Sequence, residues 1–337
     1  MKILFAAPIY PPDVGGPSHY AYSLKRELEK LGNKVEVATC HSFRKIPSGL
    51  RHLAYFIKLI SVGRKSDIIL GFDSLSVGFP AVLVGKFLRK KVILRIGGDF
   101  LWEEFVERTQ EKILLSWFYE EKRAYTLKEK IIFILTRFSL RRCNTVVFNT
   151  LWLRDIFVRA YGLDVKNTEI IDNAYGASAV SKPEKTKHKT FLWAGRPIFL
   201  KNIPMLRSAF KEAQKIDSSL RLEIVENIPH EELMEKIKSC YAIVYPSLSE
   251  VSPNLVLEGI SCGKPSVVTK EIGIAGFLHD TALFVNPLDK KDITANILFL
   301  ADEKNYREYC ARIANFNSRH TYADIAGEYT KLIRLII

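Results

Sequence analysis

The sequence predicts an α/β protein built from two doubly wound domains in tandem. Three observations carry this. Short, continuously apolar runs alternate with helical patterns along the chain, as expected for parallel strands covered on both faces. The alternation breaks once, at the polar, lysine-rich stretch "GASAVSKPEKTKHK" (176–189). The length of 337 residues, 47% of them apolar, suits two cores better than one.

The elements follow in order. Strands are expected at "KILFAAP" (2–8), "VEVAT" (35–39), "DIILG" (67–71), "KVILRI" (91–96), "TVVFN" (145–149) and "TEIID" (168–172). Between the first two, "HYAYSLKRELEKLG" (19–32) reads as a helix stopped by a glycine. Beyond the polar stretch a second series follows: "TFLWAG" (190–195), "LRLEIV" (220–225), "YAIVYP" (241–246), "PSVVT" (265–269) and "ALFV" (282–285). The last segment, "DIAGEYTKLIRLII" (324–337), is an amphipathic helix. The expected organisation is therefore a first domain over 1–175, a linker over 176–189 and a second domain over 190–320. A terminal helix over 321–337 would pack back on the first domain. Open α/β sheets bind ligands beyond the carboxyl ends of their strands, so a cleft between the two domains is the expected active site.

Charge is unevenly spread. Residues 1–165 carry 27 basic and 16 acidic side chains, a net +11, out of +13 for the chain. The first half should therefore face something anionic. The five cysteines show no CxxC and no ligand spacing, so free thiols in a reducing compartment explain them and no metal site is expected. "MKILFAAPIYPPD" is too short and too proline-broken for a signal peptide and reads as a first buried strand. The longest uncharged run, 74–85, is too short to span a bilayer. A cytoplasmic protein, associated at most with the inner face of a membrane, is expected. There is no GxGxxG, which argues against a dinucleotide enzyme.

The densest chemistry lies in "SEVSPNLVLEGISCGKPSVVT" (249–269). Ser252 reads as an N-cap, Pro253 as a first helical residue and Gly263 as the stop, which places a helix over about 253–262. Its first amides lack internal partners and its dipole is positive there, a ready site for phosphate. Asn254 and Glu258 are four apart and share a face. Glu258 is flanked by Leu255, Leu257 and Ile260, so it needs hydrogen-bond donors. Glu250 stands in the loop before the helix, where a ligand would lie. A phosphate at the helix end with hydroxyls on either side is the layout of a nucleotide-sugar.

At these residues the sequence resembles the family 4 glycosyltransferases, whose signature is Glu-x7-Glu and whose fold is GT-B, two Rossmann-like domains facing each other across a cleft. "PIYPPDVGGPSHYAYSLKRELEKLGNKVEVAT", "WAGRPIFLKNIPMLRSAF" and "IIDNAYGA" are similar to its glycine loop, its donor-phosphate segment and its entry to the interdomain linker. The resemblance implies transfer of a sugar from a nucleotide-sugar with retention of configuration and without a metal or other cofactor. It implies that Glu250 contacts the donor sugar and Glu258 the ribose. The amides of Asn254 and Leu255 would touch the β-phosphate, and Arg196 and Lys201 would neutralise the diphosphate. Gly15 and Gly16 would let the first loop approach donor and acceptor. Charge developing on a leaving diphosphate must be met by cations and oriented amides, which is what these residue types supply.

"RIGGDFLWEE" (95–104) follows a strand of the first domain. Asp99 reads either as an acceptor of a proton from a substrate hydroxyl or as the cap of a helix starting at Phe100. Trp102 reads as a sugar platform or as core. The sequence departs from the family after "LRLEIV": "VENIPHEELMEKIKSCYAIVYP" runs almost directly into the next strand, which leaves the nucleobase open. The segments 43–66 and 128–142 are basic and aromatic with helical spacing, as in helices that lie at a lipid interface. The expected partners are a UDP- or GDP-sugar, a glycan or lipid-linked acceptor of cell-envelope polysaccharide or glycolipid synthesis, and an anionic membrane surface. Nucleic acid is not expected. The alternatives are a non-catalytic GT-B module that binds glycan or membrane, or a GT-B enzyme of another reaction such as an epimerase.

Overall fold

A computed structural model describes residues 1–13, 15–43, 46, 48–175, 189–316 and 319–337. The chain divides into two compact units. The first comprises Met1–Leu101, Arg123–Ala174 and His320–Ile337; the second comprises Trp102–Lys122 and Tyr175–Arg319. The expected linker, 176–189, lies outside the described residues except for Lys189, which opens a strand.

In the first unit the elements are β1 (Lys2–Ala7), α1 (Gly16–Lys30), β2 (Lys34–Thr39), α2 (Ser48–Gly63), β3 (Ile68–Gly71), α3 (Gly78–Leu88) and β4 (Lys91–Ile96). Two short helices, α4 (Phe100–Thr109) and α5 (Leu115–Phe118), come next in the chain. The unit resumes with α6 (Leu127–Arg142), β5 (Thr145–Phe148), α7 (Leu151–Tyr161) and β6 (Thr168–Ile170). The six strands form one parallel sheet in the order β2-β1-β3-β4-β5-β6. The order reverses at β1, because the first crossover runs one way and the later ones the other. Right-handed crossovers then place α1 on one face and α2, α3 and α6 on the opposite face. The C-terminal helix α14 (Tyr322–Ile336) packs against α1, and its Ile325, Tyr329 and Ile333 join the core beneath β1, β3 and β4.

The second unit runs β7 (Lys189–Ala194), α8 (Ile203–Ile216), β8 (Leu220–Val225), α9 (His230–Ser239), β9 (Ala242–Tyr245) and α10 (Asn254–Ser261). It continues with β10 (Ser266–Thr269), α11 (Ala275–Leu278), β11 (Ala282–Val285), α12 (Lys290–Ala301) and α13 (Glu303–Ala314). Its five strands are again parallel, in the order β11-β10-β9-β7-β8. Each sheet is thus doubly wound in the Rossmann manner. α9 alone fills the crossover from β8 to β9, the place where the sequence looked short.

One organisational expectation is corrected. Residues 102–122, placed by sequence inside the first domain, cluster with the second unit. The reason is a set of hydrogen bonds from this segment to loops of the second sheet, described below. Trp102 is part of the same correction. It is buried, and its indole N–H donates to the Ile113 carbonyl at 2.9 Å, so it is core and not a sugar platform.

α3 lies so close to β4 that a Cβ on Gly85 would sit 2.2 Å from Val92 Cγ2. Gly85→Ala is expected to lower stability by about 1–3 kcal/mol, the usual cost of overpacking. Gly85→Ala combined with Val92→Ala should recover part of that loss; denaturant unfolding measures both.

Candidate functional site

The residues singled out in the second sheet's loops lie at its carboxyl end. β7 delivers Gly195 and Arg196, β9 delivers the 246–253 loop, and β10 delivers 270–273. Gly195 is needed where it stands, since a Cβ there would lie 3.2 Å from Tyr245 Oη and 3.4 Å from the Trp193 ring. The chain therefore passes directly over the Tyr245 edge. Arg196 is exposed. A 3-10 turn, Phe199–Lys201, follows, and Asn202 ends it in the left-handed region at φ 57. Buried Asn202 donates through Nδ2 to the carbonyls of Pro246 (3.1 Å) and Pro287 (2.8 Å). One side chain thereby fastens the loops that follow β7, β9 and β11.

This turn aims Lys201 at Glu250. Lys201 Nζ lies 2.6 Å from Glu250 Oε1, and the two side chains are only 14% and 10% exposed. The ammonium also sits 5.0 Å from the centre of the Tyr245 ring. Burial disfavours the Lys201 charge, yet the nearby Glu250 and Tyr245 outweigh it and hold the pKa above that of an ordinary lysine. Burial raises the Tyr245 phenol; Lys201 and, more weakly, Arg196 draw it back, so Arg196 is within electrostatic reach of the same ring. The backbone of Glu250 is fixed on both sides. Its N–H donates to the Glu271 carbonyl at 2.8 Å, and its carbonyl accepts from Gly273 N–H at 2.9 Å.

α10 differs from expectation at its start. It runs Asn254–Ser261; Pro253 occupies the N-cap position and no side chain, Ser252 included, caps it. The Pro253 carbonyl accepts from Val256 at 3.2 Å and from Leu257 at 3.3 Å. The amides of Asn254 and Leu255, two residues earlier in the same first turn, have no partner within the helix, as helix geometry requires. That end stays open and positive. The other end closes as the sequence indicates. Gly263 takes φ 72, its N–H donates to Ile260 O at 2.9 Å, and Lys264 N–H donates to Gly259 O at 2.8 Å, a Schellman stop. α10 is pressed onto β9, since a Cβ on Gly259 would sit 2.8 Å from Ile243 Cγ1.

Glu258 does not join the Lys201–Glu250 pair. Its Oε1 lies 3.0 Å from Nε2 of His230, the first residue of α9. Nothing in the sequence marked His230, because its partner is 28 residues away.

Glu107, Leu115 and Ser116 of the segment 102–122 also went unmarked by the sequence, and they hold both members of the ion pair in place. The Glu107 carboxylate accepts from Phe199 N–H (3.2 Å) and Leu200 N–H (3.1 Å), at the opening of the turn that carries Lys201. Leu115 N–H donates to Ser249 Oγ at 2.9 Å, next to Glu250. Ser116 Oγ donates to Glu271 Oε2 at 2.6 Å, and it is the Glu271 carbonyl that anchors Glu250.

Three further expected site residues, Gly15, Gly16 and Asp99, lie in the first unit. Gly15 is exposed with φ 149 and precedes α1, which Gly16 opens. A Cβ on Gly15 would meet Ile9 Cδ1 at 3.1 Å. Asp99 is 2% exposed and stands just before α4. Its charge is, after burial, the main cause that holds the Tyr125 phenol up at about 12.

Glu107→Ala leaves the two amides of the turn without their acceptor. It is expected to cost about 1–3 kcal/mol, and to speed amide hydrogen exchange at Phe199 and Leu200. Glu107→Gln, which keeps one acceptor oxygen, should lose less on both measures.

The chain is similar to several known proteins. Residues 191–315 match the family model described as glycosyl transferases group 1. The O-antigen chain mannosyltransferase RfbU of Salmonella typhimurium is 24% identical over 213 residues, which cover 56% of this chain and 59% of that relative's length. Sucrose-phosphate synthase from Thermosynechococcus elongatus superposes with a TM-score of 0.73 at 15% identity, covering 99% of this chain and 98% of the other. HepE of Anabaena, solved in complex with UDP-glucose, gives 0.71 at 13% identity, covering 99% and 100%. The fold of the chain is GT-B, the fold of these solved structures, and within it residues 191–315 are similar to the group 1 glycosyl transferases.

Proposed function

We propose that this chain is a retaining, metal-independent glycosyltransferase. It moves a sugar from a UDP- or GDP-sugar to a glycan or lipid-linked acceptor in cell-envelope polysaccharide or glycolipid synthesis. The observation that carries the reading is the buried Lys201–Glu250 pair at the carboxyl end of the second sheet. The names of relatives point the same way: one is an O-antigen chain mannosyltransferase, and another was solved with UDP-glucose.

The chemistry proposed for the site is electrostatic. As the bond from the sugar to the nucleotide diphosphate breaks, negative charge collects on the leaving phosphates. Lys201, Arg196 and the open amides of Asn254 and Leu255, with Ser252 beside them, meet that charge with groups already oriented. Glu250, freed from Lys201 as the phosphates arrive, takes the donor sugar hydroxyls near the positively charged reacting carbon. Glu258, oriented by His230, takes the ribose hydroxyls. On the acceptor side, Gly15 and Gly16 let the loop after β1 come close to donor and acceptor, because a side chain at Gly15 would be strained and crowded. Asp99 is assigned to the acceptor hydroxyl. The reading places the chain on the cytoplasmic side, in peripheral contact with the membrane. Among the described residues, no helix is long and apolar enough to cross it.

The test is release of nucleotide from a panel of UDP-, GDP- and ADP-sugars with cell-envelope extract as acceptor. One donor is expected to turn over, and Glu250→Gln should reduce kcat by at least about a hundredfold, the scale of losing one transition-state contact. No turnover with any donor identifies a non-catalytic module instead. Asp99→Asn separates the two roles of that residue: a substrate contact lowers turnover and leaves Tm alone, whereas a structural carboxylate lowers Tm.

A further inference from the structure

The layer formed by α2, α3 and α6 on the first unit combines two properties that seldom meet on one surface. α3 packs beside α2 on one side and α6 on the other, so the three helices form one continuous face. Large apolar side chains point outward from it. Leu53 and Ile57 are 55% and 58% exposed on α2, Phe87 is 67% exposed on α3, and Leu127, Ile131 and Ile134 are 75%, 47% and 61% exposed on α6. The α6 residues recur at i, i+4 and i+7, so they form a stripe along one side of the helix. Single exposed leucines are ordinary, but aligned rows on neighbouring helices are not.

The second property is charge. Exposed Lys86, Arg89, Lys128, Lys130 and Arg137 lie on or at the ends of the same helices. α2 and α3 contain no aspartate or glutamate at all. α6 contains one, Glu129, which is 1% exposed and locked in a capping box with Thr126. The face therefore presents apolar rows and cations without an exposed carboxylate on any of its three helices.

We infer that this face is a docking surface for an anionic lipid bilayer: the apolar rows enter the boundary between headgroups and acyl chains, and the cations sit among the phosphates. The membrane contact proposed above is thereby given a location, but the inference does not depend on the sugar-transfer reading. Apolar insertion and cationic attraction act together at such an interface. A second copy of the chain does not fit the face, because docking it on itself sets cation against cation. Nucleic acid would meet the cations but has no use for rows of leucine and isoleucine.

The test is co-sedimentation of the full chain with phosphatidylcholine vesicles, with and without phosphatidylglycerol, across a salt series. Binding is expected only when phosphatidylglycerol is present, and it should weaken as salt rises. The pair of substitutions Ile57→Ser and Ile134→Ser should reduce the bound fraction at least about tenfold at constant charge. Lys128→Gln with Lys130→Gln should flatten the salt dependence. All four positions are exposed, so circular dichroism and Tm should stay at wild-type values, and nucleotide release without vesicles should not change. Several results would overturn the inference: no binding, equal binding to both vesicle types, serine variants that bind as wild type, or a dimer in light scattering that these substitutions dissociate. A chain that docks on vesicles but uses no nucleotide-sugar would refute the enzymatic reading and leave this one standing.

Discussion

The site depends on one interaction, a lysine and a glutamate held 2.6 Å apart and almost out of water. Removing two charges from solvent is costly, and their attraction repays it only when the geometry is good. The fold supplies that geometry through restraints on the backbone on either side of each residue. Asn202 ties the turn carrying Lys201 to the ends of two other strand loops. Glu250 is gripped by Glu271 and Gly273. Such a pair contributes little to net stability compared with an apolar pair of similar volume. Its value lies in keeping a cation and a carboxylate preorganised at the mouth of a sheet, beside the open end of α10, where neither must be moved far to meet a ligand.

The segment 102–122 gains meaning in the same light. It precedes the second sheet by many residues, yet Glu107 and Leu115 reach the two loops that present the pair, and Ser116 reaches the Glu271 loop that anchors Glu250. A residue that caps the turn before Lys201 affects the site without touching a ligand. Glu107 is thus a positioning residue.

Much of the fold was legible in the sequence, and for a physical reason. Strands covered on both faces must be apolar throughout, so interior strands such as β3 ("IILG") and β9 ("AIVY") appear as short unbroken runs, whereas the edge strands β2 ("KVEVAT") and β8 ("LRLEIV") alternate with charged residues. The Gly263 stop was equally plain, because a left-handed residue favours glycine. The start of α10 was not. Ser-Pro-Asn admits two cap assignments one residue apart, and Pro253 took the cap that Ser252 was expected to fill. The partners of the site were illegible for a different reason. Glu107 meets Leu200 across 93 positions and Leu115 meets Ser249 across 134, and no local pattern encodes such distances. Residue types announced Lys201 and Glu250 as charges near a ligand; that they pair with each other is a tertiary fact. The charge excess of the first half was visible, but its concentration on three adjoining helices without an exposed acid required the packing.

The measurement that bears most directly on the account is a double-mutant cycle at Lys201 and Glu250, read in both stability and donor turnover. If the pair is kept for ligand chemistry, Lys201→Met alone should cost about 3–5 kcal/mol by stranding a buried carboxylate. Lys201→Met with Glu250→Leu should restore stability to near the wild-type value while turnover stays lost. Losses of stability that simply add in the double variant, together with surviving turnover, would contradict it.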